Sequence, residues 1–542
     1  MPDFIKRRDF GALLTILIIL VLLCYMVAFG IINFIGFDDL CTTDMYEDTL
    51  VARLIWEQKT LFPSNYLFGN QFYVIATPVL AALFYGICGS MNLAMGLATT
   101  VMSVLILISF DWMLKPFVKQ RAYRYAALLA LVAGVYGPYT VSREDGQLFF
   151  VMCSFYACYL ISFFFLMGDY ARARESEDMR PVALVIALAL SFCTGMQSLR
   201  QTCVSMLPIL CFEFLQAFIR LVKKQPLWPK GSRMPLIRAS SYLIANIAGL
   251  VFINLLGVKR NEIYYGQSIF SGASIFEKLQ AVRDAFYTVS GFDFARETNQ
   301  VFFIVIFLFF SLISICALFS LLRKKDIFSA QACFWWLCII SVLAVIAASF
   351  VTTVSLRPIY IFPLYTLPAL SLVVLAKRLK PKFMNLLCTA LALISLLNIH
   401  YSYGPQIEYV LDPMDTPAKQ VSDFAVENGY EYIYGAHSYT APMIAAFSDG
   451  KLIAGCWTDD ILFKISPHIN IRDIYHIEDY SKAIFVFTEN EVPNAILETE
   501  GNGTELYFQG QFGSYHVYTA SNQLLYPVTE LIDYAEKYPE YN

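Results

Sequence analysis

The chain has 542 residues, of which 58% are hydrophobic, 16% aromatic and only 15% charged, with a mean hydropathy of +0.56. Soluble domains carry about a quarter charged residues, so the composition excludes a soluble globular protein and fits a polytopic membrane protein. A net charge of −4 also lacks the basic footprint of a nucleic-acid partner.

Apolar runs of spanning length fall at 10–35, 91–111, 125–141, 147–167, 181–198, 203–222, 240–257, 299–322, 330–352, 359–377 and 384–402. Each has roughly the 17–25 residues that a helix needs to cross the hydrocarbon. The run at 10–35 is too long for a signal-peptide core and lacks a small-residue cleavage site, so it is expected to be retained as the first span. A twelfth run, 71–89, competes, and the positive-inside rule arbitrates. With Lys6, Arg7 and Arg8 inside, eleven spans gather the main basic clusters on the same side. These are Lys115, Lys119, Arg121 and Arg124; Arg172, Arg174 and Arg180; the six basic residues of 220–238; Arg323, Lys324 and Lys325; and Lys377, Arg378, Lys380 and Lys382. That is 23 basic residues inside against 10 outside over 1–402. A crossing at 71–89 would turn most of them outward, so this run is read as an interfacial or re-entrant helix on the outer face. The expectation is eleven spans, with the N-terminus cytoplasmic and the C-terminal part extracytoplasmic.

After the first span, the stretch 37–70 concentrates Asp38, Asp39, Asp44, Glu47, Asp48 and Glu57 against Arg53 and Lys59. From Asp44 the spacing is helical, and Asp44, Glu47 and Asp48 share a face. Carboxylates clustered at a membrane surface suit deprotonating a hydroxyl or holding a cation, and equally suit a solvated acidic loop. The same outer side collects Arg143, Glu144 and Asp145, then Arg200 in GMQSLRQT, the long loop 257–298, and Arg357 in VSLRPIYIFP. A single arginine at a span end often does no more than snorkel. Convergence on the acid-bearing side is what sets these apart.

From residue 404 short β-like runs at 430–434, 451–455, 483–487, 505–509 and 515–518 alternate with helical stretches. One helix is predicted over 417–428, with Thr416 as N-cap, Pro417 at its first position and Gly429 as its stop. A peripheral helix is expected over 527–538. The fold expected is an all-α polytopic membrane domain over 1–403 and a small extracytoplasmic α/β domain over 404–542. Nearly all of the 13 cysteines sit in apolar runs and read as small hydrophobes, with no metal-finger spacing. Cys41 and Cys456 are the thiols expected on the outer side, and nothing in the sequence supports a disulfide between them. His468, His476, Asp459 and Asp460 lack ligand spacing, and Asn502-Gly503-Thr504 matches a glycosylation sequon.

In its order and sidedness the chain resembles the GT-C superfamily, the polytopic glycosyltransferases that draw sugars from polyprenyl-phosphate donors. Protein O-mannosyltransferases and lipid A aminoarabinose transferases are among them. The resemblance is architectural and covers most of the chain. It comprises a first span, an acidic first outer loop, the Pro-containing apolar segment ATPVLAALFYGICG, a string of spans and a final outer domain. Where that family typically carries an adjacent acidic pair, this chain has Asp44-Met45, with Glu47 and Asp48 one turn later. The implied base is therefore one of Asp44, Glu47, Asp48 or the Asp38-Asp39 pair. Arg143-Glu144-Asp145 stands where the family carries a second acidic position, and Arg357-Pro-Ile-Tyr360-x-x-Pro363 looks like its late Arg/Tyr/Pro segment.

The resemblance implies an inverting transfer from a polyprenyl-phosphate-linked sugar to a glycan, lipid or protein acceptor, at the outer face of the cell membrane and with no nucleic-acid partner. Asp44 is expected to be the base, with Glu47 and Asp48 beside it. Asp39, Arg143, Glu144, Asp145, Arg200, Arg357 and Tyr360 are expected to bind substrate, since guanidinium forks suit a leaving phosphate. Segment 71–89 suits lining a groove for the polyprenyl tail, and suits an ordinary interfacial helix at least as well. Some relatives use a divalent metal, and no tight ligand spacing decides the matter here. The competing readings are a transporter or flippase of lipid-linked glycans, and a non-catalytic scaffold with an outer binding domain. The first would carry charges in mid-span and two similar halves.

Overall fold

The computed structural model describes residues 3–38, 40–66, 68–69, 71–134, 149–151, 156–175, 180–227, 233–258, 274–292, 301–323, 329–352, 356–436, 440–458, 461–465 and 479–521. The chain opens with α1 (Asp3–Ile35), α2 (Thr43–Gln58) and α3 (Thr77–Cys88). Apolar α3 has 12 residues, about 18 Å of helix, and falls short of the roughly 30 Å hydrocarbon layer. Local chemistry fixes its length. Pro78 stands in its first turn, and Gly89, at φ +72°, closes it with an N–H donated to the Tyr85 carbonyl at 2.8 Å. Ser90 then caps α4 (Met91–Leu114) by accepting the Leu93 N–H.

Beyond α4 come α5 (Arg121–Ala133), α6 (Ala157–Glu175) and α7 (Pro181–Gln197). A π-helical turn at Thr202–Met206 leads into α8 (Leu207–Val222), and α9 (Arg233–Leu255), α10 (Ile275–Ser290), α11 (Val301–Arg323) and α12 (Ala330–Val351) follow. A 3-10 run, Pro358–Thr366, continues as α13 (Leu367–Ala376). The last long helix joins α14 (Pro381–Asn398) to α15 (Gly404–Leu411) through a π turn at Ile399–Tyr403.

Eight of these stretches are long and apolar enough to cross a membrane among the described residues: Phe10–Ile35, Met91–Leu114, Thr202–Val222, Arg233–Leu255, Val301–Arg323, Ala330–Val351, Pro358–Ala376 and Pro381–Leu411. They answer to eight of the eleven expected spans. The other three fall on α5, α6 and α7. Helix α7 is apolar but has 17 residues, and the last two turns of α6 carry Asp169, Arg172 and Arg174.

Those charges are buried and partnered, as a low-dielectric interior demands. Asp169 accepts from Arg238 at 2.8 Å and from the Tyr242 hydroxyl, tying α6 to α9. Glu213 on α8 accepts from Arg174 at 3.0 Å and from the Tyr170 hydroxyl. Helices α7 and α9 touch backbone to backbone at Gly195 and Gly249, where only hydrogens fit between the chains.

After α15 come α16 (Pro417–Glu427), β1 (Tyr432–Ala436), α17 (Ala441–Ala446), β2 (Ile453–Thr458), β3 (Ile461–Ile465), β4 (Ala483–Thr488), α18 (Val492–Asn502), β5 (Leu506–Phe512) and β6 (Tyr515–Ala520). Thr416 caps α16 by accepting the Lys419 N–H, and Gly429, at φ +76°, turns the chain out of it. The six strands form one sheet in the order β3-β2-β1-β4-β6-β5, parallel across β2-β1-β4 and antiparallel toward both edges. Strand β3 was not foreseen in the sequence, and the expected helix over 527–538 lies outside the described residues.

Alternation along the strands sorts the sheet's two faces. Tyr434, Trp457, Phe485 and Phe487 make a separate aromatic core with Ala495 of α18. Ile433, Ala454, Cys456, Ile484 and Val486 point the other way and join the core of the helical bundle. Hydrogen bonds fix this docking. The Tyr46 hydroxyl of α2 accepts from the Ala454 N–H at 2.8 Å, Arg53 donates to the Gly450 carbonyl, and Asp449 accepts from the Asn92 N–H at 2.8 Å. Cys41 and Cys456 are both buried, and no disulfide joins them.

Candidate functional site

The face predicted from helical spacing divides sharply by burial. In the first turn of α2, where the helix dipole favours a negative charge, Asp44 is exposed. Glu47 is half-buried, and Asp48, one turn on, is fully buried. Beside Asp48 lies Tyr73, whose hydroxyl donates to the carboxylate. Burial first, and then the Asp48 charge, push the Tyr73 phenol above its usual range, so at neutral pH it remains a donor. Phe68 packs edge to face on Tyr73 and belongs to an aromatic cluster with Phe62, Tyr66 and Phe72. Burial also raises the Cys41 thiol, with Asp38 and Asp48 adding to the effect, which removes it as a thiolate.

Tyr73 is held by the break between α7 and the π turn. Phe72 donates its N–H to the Gln197 carbonyl at 3.0 Å, while Val74 and Ile75 donate theirs to the Gln197 side-chain oxygen at 3.1 and 2.6 Å. Asn246 of α9 secures the far side of the break, accepting from the Thr202 hydroxyl and donating to the Ser191 carbonyl at 2.9 Å.

Arg200 sits inside this break. It donates to Gln71 at 2.8 Å and to the Tyr360 hydroxyl, with its guanidinium 4.7 Å from the Tyr156 ring centre and 5.3 Å from that of Tyr360. These are cation–π distances. Half-buried Arg357 precedes the 3-10 run and receives the Tyr360 N–H on its carbonyl. The Tyr156 hydroxyl lies in the combined field of Arg200, Tyr360, Arg357 and Asp44. Arg200, Tyr156 and Tyr360 thus meet from three separate stretches, with Arg357 and Asp44 within electrostatic reach of Tyr156. Guanidinium forks suit a phosphate, and an exposed carboxylate suits proton abstraction.

Asp39, Arg143, Glu144 and Asp145 lie outside the described residues, as do Asp459, Asp460, His468 and His476. Among the described residues no three His, Cys, Asp or Glu side chains assemble as a metal-ligand set. Sequence reasoning did not single out Tyr73, Tyr156, Gln71 or Gln197. The signal available for Gln197 was its place in GMQSLRQT, a polar interruption between two apolar runs.

The bundle of apolar helices with its docked sheet defines a multi-pass membrane protein. No protein-family model matches the chain, and no curated protein matches it in sequence. Its fold is similar to that of ArnT from Cupriavidus metallidurans, seen in a crystal structure bound to undecaprenyl phosphate, with a TM-score of 0.57 and 11% identity over 94% of this chain and 98% of that one. At that identity the likeness shows an ArnT-like fold.

Proposed function

We propose that this chain is an integral-membrane glycosyltransferase that moves a sugar from a polyprenyl-phosphate donor to an acceptor hydroxyl on the outer face, with Asp44 as general base. The observation that carries the reading is Arg200 stacked against Tyr156 and Tyr360, with Arg357 and Asp44 within electrostatic reach of Tyr156. The ArnT-like fold supports it, because that protein was crystallised with undecaprenyl phosphate bound. The basic asymmetry between the two sides supports the outer face.

In this reading Arg200 and Arg357 neutralise the leaving phosphate as the glycosidic C–O bond breaks, and Asp44 takes the acceptor's proton as the new bond forms on the opposite face of the sugar. Its exposure leaves room for an acceptor. Glu47 is the neighbour that tunes it, and Asp48, buried under Tyr73, holds the loop. The pairing of Glu213 with Arg174 removes an unpaired mid-span charge that a transporter reading would use.

The test is transfer from a polyprenyl-phosphate-linked sugar at matched expression. Asp44→Asn is expected to lose about 10²–10⁴-fold in rate while still binding undecaprenyl phosphate. Near-normal transfer by Asp44→Asn with loss in Glu47→Gln would move the base to Glu47. Full activity in every carboxylate variant would end the assignment of an outer-loop carboxylate as base, and absence of transfer by the unaltered chain would end the enzyme reading.

A further inference from the structure

Helix α10 lies in the loop between α9 and α11 and starts with a capping box: Ser274 accepts the Glu277 N–H at 3.2 Å, and Glu277 accepts the Ser274 N–H at 2.9 Å. Its first turns have little packing of their own, with Ile275 71%, Phe276 72% and Leu279 53% exposed. Between them Lys278 reaches the end of α12. Its ammonium donates to the carbonyls of Ser349, Phe350 and Thr352 at 2.8, 3.0 and 2.9 Å.

A helix ends with four carbonyls that lack intrahelical partners and with the negative pole of its dipole. Here no left-handed glycine follows, for Thr352 leaves the helix extended at φ −109° and ψ 168°. All three ammonium protons are used to close that end. The chain then runs to Arg357 and the 3-10 segment bearing Tyr360, along which α10 also packs.

We propose that Lys278 is a positioning residue for the anion site. By clamping the last turn of α12 it fixes where the chain leaves that helix, and so where Arg357 stands relative to Arg200. The proposal rests on the reading that Arg357 meets the donor phosphate. Lys278 supplies a polar tie from α10 to the α12 end, five residues before Arg357 in the chain.

The experiment measures undecaprenyl phosphate affinity of the full chain in nanodiscs, well below the unfolding temperature, for K278M, K278R, R357A and K278M/R357A. K278M is expected to weaken binding about tenfold, a loss typical of disturbing one charge-assisted contact. K278R, which retains a cation for the same carbonyls, should recover most of it. Because Lys278 acts through Arg357, the double variant should bind no worse than R357A. Multiplying losses, or wild-type affinity in K278M with R357A impaired, would overturn the positioning role alone. Wild-type affinity in R357A would overturn the donor-phosphate reading and the positioning role with it. If K278M fails to accumulate, K278Q enters the same cycle, with the same outcomes deciding.

Discussion

Replacing Gly195 by alanine tests the tightest joint in the bundle. A Cβ built there would stand 2.8 Å from the Asn246 carbonyl carbon and 3.0 Å from its Cα, and closer still to its oxygen. Carbon atoms rest at about 3.5–4.0 Å, so α7 and α9 must part by roughly 1 Å. Backbone has no rotamer with which to yield, and overpacking of this kind costs about 1–3 kcal/mol. The shift also pulls on Asn246, whose bonds to Thr202 and the Ser191 carbonyl are each worth about 0.6 kcal/mol in a membrane setting. Better helix propensity returns about 1 kcal/mol. The net expectation is a loss of about 1–3 kcal/mol. Gly249→Ala meets the Phe192 carbonyl carbon at 2.9 Å and should behave alike. Gly30→Ala, which meets nothing within 4 Å, is the control and should be neutral or slightly stabilising. Thermal unfolding in detergent, followed with a thiol-reactive dye, compares the three. If Gly195→Ala and Gly249→Ala melt with Gly30→Ala, the backbone contact is not the constraint argued here.

Two further outcomes follow from the site. Arg200→Lys should bind undecaprenyl phosphate about tenfold more weakly and Arg200→Ala more weakly still, because lysine keeps the charge but loses the fork and the stacking on Tyr156 and Tyr360. Unchanged affinity in Arg200→Ala, read by titration in nanodiscs, would reduce the residue to a structural tie for Gln71. Tyr73→Phe should cost about 1–3 kcal/mol near neutral pH by removing a donor from a buried carboxylate. The sign of its pH dependence comes from the raised phenol. That group's stabilising contribution is present below its ordinary value of 10.0 and is lost as pH rises beyond it, since the unfolded phenol ionises first. The deficit of Tyr73→Phe should therefore shrink by up to about 1.4 kcal/mol per pH unit above pH 10. Parallel stability curves for the two proteins between pH 8 and 11 would refute the assignment.

Much of the architecture was readable because its causes are local in the chain. An apolar run of twenty-odd residues can satisfy its backbone in lipid only as a helix, so eight spans were visible from composition and length. Pro417, Thr416 and Gly429 bound α16 through their own stereochemistry, and Pro78 with Gly89 keeps α3 too short to cross. The Asp44, Glu47, Asp48 face was visible because helical spacing is fixed by geometry. Other features depend on partners distant in sequence, and tertiary structure alone decided them. The three carboxylates share a face, yet Asp48 is buried and Asp44 exposed because Tyr73, carried in by the bonds of Gln197, covers one and not the other. Arg200 meets Tyr360, 160 residues on in the chain, because separate helix ends bring them together. Strand β3 exists because β2 gives it a ladder to join, a condition that no short window of sequence contains.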